Sequence, residues 1–153
     1  PSDFASQLEI ATLDEIRHGI HELLDIRDEN VWMLFGTLPF YPCSDKQEDI
    51  ELWQRLRSAK KVTVRNDPDG RSRLNINILD GSIIVTDFGD VPPLGNIQTT
   101  SLQTAYEKWR NSEVAKSIHC HCPAVKCLGP NILVKDSYYR DVDFTKRSAN
   151  ITL

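Results

Sequence analysis

At 153 residues, with 40% hydrophobic and 26% charged side chains, the sequence has the size and balance of one soluble globular domain rather than a disordered or membrane-embedded chain. A formal net charge of -4 and the absence of any run of five like charges exclude the clustered Lys and Arg of a nucleic-acid surface. The longest apolar runs, such as Val31 to Phe35 and Ile132 to Val134, fall far short of the ~20 residues of a membrane-spanning helix, so neither nucleic acid nor membrane is expected as a partner.

Pro1-Ser2-Asp3-Phe4 has neither the basic start nor the apolar stretch of a signal peptide, and it lacks an initiator Met. The expectation is a segment cut from something longer, residing in the cytoplasm. Thr12 and Glu15 have capping-box spacing, and Ile16, Ile20, Leu23 and Leu24 recur at helical intervals, which predicts a helix over 13–26. His18, His21 and Glu22 lie on it as solvated residues, because no third ligand or proton partner accompanies them. The apolar run Val31 to Phe35, ended by Gly36 and Pro39, reads as a buried strand.

Ser44 and Gln47 repeat the capping-box spacing ahead of Ile50, Trp53 and Leu56, predicting a second helix to about Ala59. The period then becomes two at Val62 and Val64, and again at Leu74, Ile76 and Ile78. Asp80-Gly81, between residues 75–79 and 82–86, predicts a tight hairpin. Ser101 caps a helix whose inner face is Leu102, Ala105, Tyr106 and Trp109, and a short helix starts at Ser112. Beyond the apolar stretch Ile132-Leu133-Val134, the residues from Asp141 onward form a polar tail with too little apolar surface to hold itself down. Trp32, Trp53 and Trp109 each sit on an apolar pattern and are expected in the core.

Chemistry concentrates at His119-Cys120-His121-Cys122-Pro123 and Cys127. Thiolates bind soft or borderline ions, and a loop with Pro and Gly can turn several sulfurs towards one centre. Three sulfurs and one further donor would close a four-ligand site. That donor is Cys43, His119, His121, a carboxylate of the hairpin region or an exogenous molecule, and spacing does not choose among them. Cys43 itself, between Pro42 and Ser44, reads as a small buried hydrophobe. Phosphate-cradling glycine loops, Gly-x-Ser-x-Gly and His-Glu-x-x-His are all missing from the sequence, which leaves hydrolase chemistry no foothold.

The order of Leu79-Asp80-Gly81-Ser82-Ile83, Pro93-Leu94-Gly95-Asn96-Ile97, the Ser101 to Trp109 helix, Cys122-Pro123 and Cys127-Leu128-Gly129-Pro130-Asn131 resembles the SPASM or twitch region that follows the barrel of radical S-adenosylmethionine enzymes. The resemblance implies an auxiliary iron-sulfur cluster of the [4Fe-4S] type held by Cys120, Cys122 and Cys127, with His119 where a first cysteine stands in that family. It implies a catalytic barrel in cis or trans as partner and a peptide or protein as substrate. Two departures are visible: Ile83-Ile84-Val85 replaces a hairpin cysteine, and Cys120-His121-Cys122 replaces a Cys-x-x-Cys pair. The Cys-x-x-x-Cys-x-x-Cys motif of the catalytic cluster does not occur, so no residue is assigned a catalytic role and the chain is expected to be non-catalytic by itself, a fragment of a larger enzyme.

The expected fold class is α+β, a small antiparallel hairpin sheet with flanking helices and a cysteine-rich metal-binding loop. Residues 1–60 are read as a helical N-terminal or barrel-connecting segment, 61–140 as the cluster domain and 141–153 as the tail. The alternative is a zinc-binding or metal-free protein-interaction module, since zinc accepts mixed Cys and His ligands.

Overall fold

The structure is a computed structural model that describes residues 9–65, 69–70, 73–86, 91–118, 120 and 131–147. It is mixed α and β, with two small sheets and several helices.

Helix α1 spans Leu13–Ile26 and opens with the reciprocal cap that its sequence predicts. Thr12 Oγ1 accepts from the Glu15 amide at 3.2 Å, and Glu15 Oε2 accepts from the Thr12 amide at 2.8 Å. Strand β1 (Met33–Gly36), helix α2 (Gln47–Ser58) and strand β2 (Val62–Arg65) follow. The two strands run parallel, from Met33 opposite Val62 to Gly36 opposite Arg65, with α2 as the crossover that parallel neighbours require. Leu38, Phe40, Ile20, Leu24, Leu52 and Leu56 form the core of this layer, and Met33, Phe35, Val62 and Val64 pack onto it.

Three expectations need correction here. The β1 run is not buried on both sides: Leu34 is 64% exposed and Trp32, outside the strand, is 72% exposed, so Trp32 is not a core residue. Helix α2 is not capped by Ser44; its N-cap is Lys46, which makes no side-chain cap bond. The Ser44 hydroxyl is committed elsewhere, donating to Asp49 Oδ2 at 2.6 Å and accepting from the Lys46 amide at 3.2 Å. Finally, the sheets are not solely antiparallel, because the β1–β2 pair is parallel.

The second sheet is antiparallel, in the order β3 (Asn75–Ile76), β4 (Ser82–Ile84), β5 (Gly95–Asn96). The expected hairpin is present, but its connection is longer than a two-residue Asp-Gly turn. The Asn77 amide donates to the Ser82 carbonyl at 2.9 Å and the Gly81 amide to the Asn77 carbonyl at 2.8 Å. Only Gly81 in this turn takes a positive φ, of 76°. Ile78 and Leu79 stand at the tip, 92% and 91% exposed, and do not continue the strand.

Helices α3 (Leu102–Arg110) and α4 (Glu113–Ser117) carry the predicted caps, with Ser101 accepting from the Thr104 amide and Ser112 from the Ala115 amide. Helix α5 (Ile132–Tyr138) is capped by Asn131. Ile83, Val85, Leu94, Ala105, Trp109, Ala115, Ile118 and Ile132 make the second core. Trp109 closes it by donating its indole N–H to the Gly70 carbonyl. Gly70 needs its lack of a side chain twice: its φ is 75°, and a Cβ there would sit 2.7 Å from Ile132 Cδ1.

The expected loose tail is corrected as well. A 3-10 turn at Phe144–Lys146 buries Phe144, and Arg147 donates to the Cys43 carbonyl at 3.3 Å and to Asp45 Oδ2 at 2.7 Å. Among the described residues no helix is long and apolar enough to cross a membrane.

Candidate functional site

A third, smaller cluster is built by Tyr41, Val134 and Phe144, with Cys43, Cys120, Tyr138, Tyr139 and Val142 packed against it. Its centre is three aromatic rings. Tyr41 and Tyr139 have centroids 5.8 Å apart, while Phe144 meets both edge-on, at 5.6 Å from Tyr41 and 5.5 Å from Tyr139. Such tilted and edge-to-face contacts are the favoured aromatic geometry. The Tyr139 hydroxyl donates to the Pro39 carbonyl, and the Tyr138 hydroxyl to the Ala11 carbonyl at 2.9 Å. The cluster thus ties α5 and the C-terminal turn to the N-terminal layer.

The loop carrying Cys43 is held from below by a buried carboxylate. Asp49 accepts from Arg17 Nε at 3.1 Å and from the Ser44 hydroxyl, and Arg17 stacks over the Phe40 ring at 5.4 Å. Burial disfavours the Arg17 charge, but the carboxylates of Asp49 and Asp14 outweigh it and raise the pKa of the guanidinium. Burial pushes the Tyr139 phenol far above its ordinary range, and the Asp49 carboxylate adds to the effect. The phenol therefore acts here as a hydrogen-bond donor rather than a base.

Of the four cysteines, Cys43 and Cys120 lie among the described residues, both half-buried on this one aromatic cluster. The sequence offers Cys43 as one of several fourth donors to the Cys120 segment without choosing it. Pro42-Cys43-Ser44 carries no local motif, and the relation appears only when the loop before α2 and the end of the α4 region meet across the fold. Cys122, Cys127, His119 and His121 lie outside the described residues. Among the described residues no group of three His, Cys, Asp or Glu side chains could hold a metal ion. The described part alone therefore does not make the expected metal centre. His18 and His21 are brought to other partners rather than to each other: His18 faces Glu22 at 3.4 Å, and His21 Nδ1 accepts from Arg55 Nη1 at 2.6 Å.

The comparisons place the chain outside the family its motif order suggests. A family model described as YfkB-like domain matches residues 1–149. A Bacillus subtilis (strain 168) protein named YfkA is 72% identical over 149 residues, which is 97% of this chain and 40% of that relative's length. The chain thus spans about two fifths of the curated relative it matches. No solved structure matches it. The expected SPASM or twitch identity, and the radical S-adenosylmethionine and iron-sulfur character that came with it, are overturned by this assignment. The hairpin supplies the physical reason. Where the resemblance calls for a ligand, Ile83 and Val85 are completely buried and pack on Leu94 and Trp109, so that position serves the core. The chain belongs to the YfkB-like domain family.

Proposed function

We propose that the chain is a non-catalytic protein-interaction module of a longer protein, in which Cys120, Cys122 and Cys127 hold one zinc ion with Cys43 as the fourth donor. One observation carries the reading: Cys43 packs on the same small aromatic cluster as Cys120, the residue that opens the cysteine-rich segment. Two half-buried thiols remote in sequence and packed on one cluster are a start for a tetrahedral thiolate site, and the two further thiols follow Cys120 within seven residues. In this reading Cys43 replaces His119 as the fourth ligand. A closed four-sulfur site leaves zinc no open position for water, so its role is to pin the loop. The thiols would stay reduced in the cytoplasm, where such sites persist.

The aromatic cluster gives the site its surroundings. Tyr41, Tyr139 and Phe144 exclude water on one side, and Arg147 places a cation against the Cys43 backbone, which favours a nearby thiolate. The test is zinc, iron and acid-labile sulfide content after anaerobic purification, with Cys43→Ser, Cys122→Ser and Cys127→Ser alongside. One zinc per chain, lost in Cys122→Ser and Cys127→Ser and bound at least ~10-fold more weakly in Cys43→Ser, is expected. A metal-free protein, iron with matching sulfide, or zinc retained in all three variants would each overturn the assignment.

A further inference from the structure

We infer that β1 and β2 are the margin of a larger parallel sheet, and that a strand from the remainder of the longer polypeptide pairs with the open edge of β1. Parallel sheets occur almost only with both faces covered, because their crossover helices wrap them, and a sheet of only two such strands leaves most of that cover unbuilt. Among the described residues the sheet has two strands and one covered face.

Both outer edges of the pair are unpaired among the described residues, and the backbone shows which groups line that of β1. The Met33 amide donates to the Lys61 carbonyl and the Thr37 amide to the Arg65 carbonyl, both at 3.0 Å. Because successive residues of a strand present their backbone groups to opposite sides, Leu34 and Gly36 direct theirs away from β2. No described residue pairs with that side of β1.

The far face is open too. Leu34 and Trp32 are exposed there, and a Cβ built on Gly36 would meet only the Arg65 carbonyl oxygen, at 3.9 Å. An apolar strand without charge on its free edge is a template for pairing that isolated proteins ordinarily blunt. Within β1 there is no Lys, Glu or Pro to do so.

Handedness selects the side on which the missing strand belongs. Helices α1 and α2 share one core and cover the same face, joined by the Arg17–Asp49 and Arg55–Asp25 ion pairs. Crossovers between parallel strands are right-handed, so helices on one face mean that the strands advance in one direction. A strand leading into α1 then falls beside β1, on the edge away from β2. The curated relative has the material to supply it, since this chain accounts for 40% of its length. The occupant is therefore an apolar strand, parallel to β1, whose outer side chains extend the face begun by Trp32 and Leu34.

Hydrogen exchange at single amides tests this in the 153-residue chain and in the full-length Bacillus relative. The Leu34 and Gly36 amides should exchange without protection in the chain, and their equivalents at least ~100-fold more slowly in the relative. As a second readout, Leu34→Arg should leave the urea midpoint of the chain unchanged and lower that of the relative when placed at the equivalent position. Equal exchange in both proteins, or an arginine tolerated equally in both, would overturn the inference.

Discussion

The two sheets of this protein solve the same problem at different ranges. The antiparallel sheet finds its neighbours and its cover within a short stretch of chain: Ile83 and Val85 are completely buried in one core with Ala105 and Trp109 of α3, and the Trp109 indole locks the layer onto Gly70. The parallel pair β1–β2 covers one face with α1 and α2 and leaves Leu34 exposed on the other. A hairpin finds its neighbour within a few residues, whereas a parallel strand finds one only after a crossover. A protein divided into pieces therefore keeps its hairpins whole and leaves its parallel sheets with open margins.

Tryptophan truncation in each region should break the comparison most sharply. Trp109→Ala removes a buried ring and its hydrogen bond, and is expected to cost about 3–5 kcal/mol in urea unfolding. A loss below about 1 kcal/mol would mean that the second core is not closed as described. The link between the regions comes next. Tyr139→Phe removes the hydroxyl that reaches Pro39 and should cost about 0.5–1.5 kcal/mol at neutral pH.

The same tyrosine predicts a pH dependence. Its folded pKa lies above the ordinary 10.0, so the unfolded chain gives up the proton first. The stabilisation is whole below that pH and is lost as the pH rises beyond it. Tyr139→Phe should flatten this alkaline decline in unfolding midpoint, and an unchanged slope would show that other groups cause it. Smallest is Trp32→Ala, which should change the stability of the isolated chain by no more than about 0.5 kcal/mol, as for an exposed residue. A larger loss would place Trp32 in a core after all and remove the contrast between the sheets.

What could be read from the residues follows the same division by range. The caps at Thr12, Ser101 and Ser112 were legible because the bonds involved join residues three apart. Ser44 has the same spacing to Gln47 and misleads, because a buried Asp49 in contact with Arg17 claims the hydroxyl. Val62 and Val64 alternate as strand residues do, but alternation does not reveal a partner, and the parallel pairing with β1 was invisible. Trp32 failed for a related reason: an apolar pattern marks a face that needs covering without saying which polypeptide covers it. The motif order that suggested a cluster domain was read from a genuine hairpin and a genuine helix, neither of which specifies a family. Cys43 reads from sequence as a small buried hydrophobe as readily as a fourth donor, and its place on the same cluster as Cys120 depends on Tyr41, Val134 and Phe144, which are remote in sequence.

The contact between Tyr41 and Phe144 also bears on the order in which the molecule assembles. It joins residues about a hundred positions apart, whereas the α1–α2 layer and the hairpin are each made from nearer neighbours. Closing the longer loop costs more chain entropy, so the expected order is the two cores first and the aromatic clasp last, which φ-values at Trp109 and Tyr139 would check. A contact that closes last and covers little area is also the first to reopen, while both cores stay folded. Such local opening would expose the half-buried Cys43 and Cys120 further, ahead of any global unfolding.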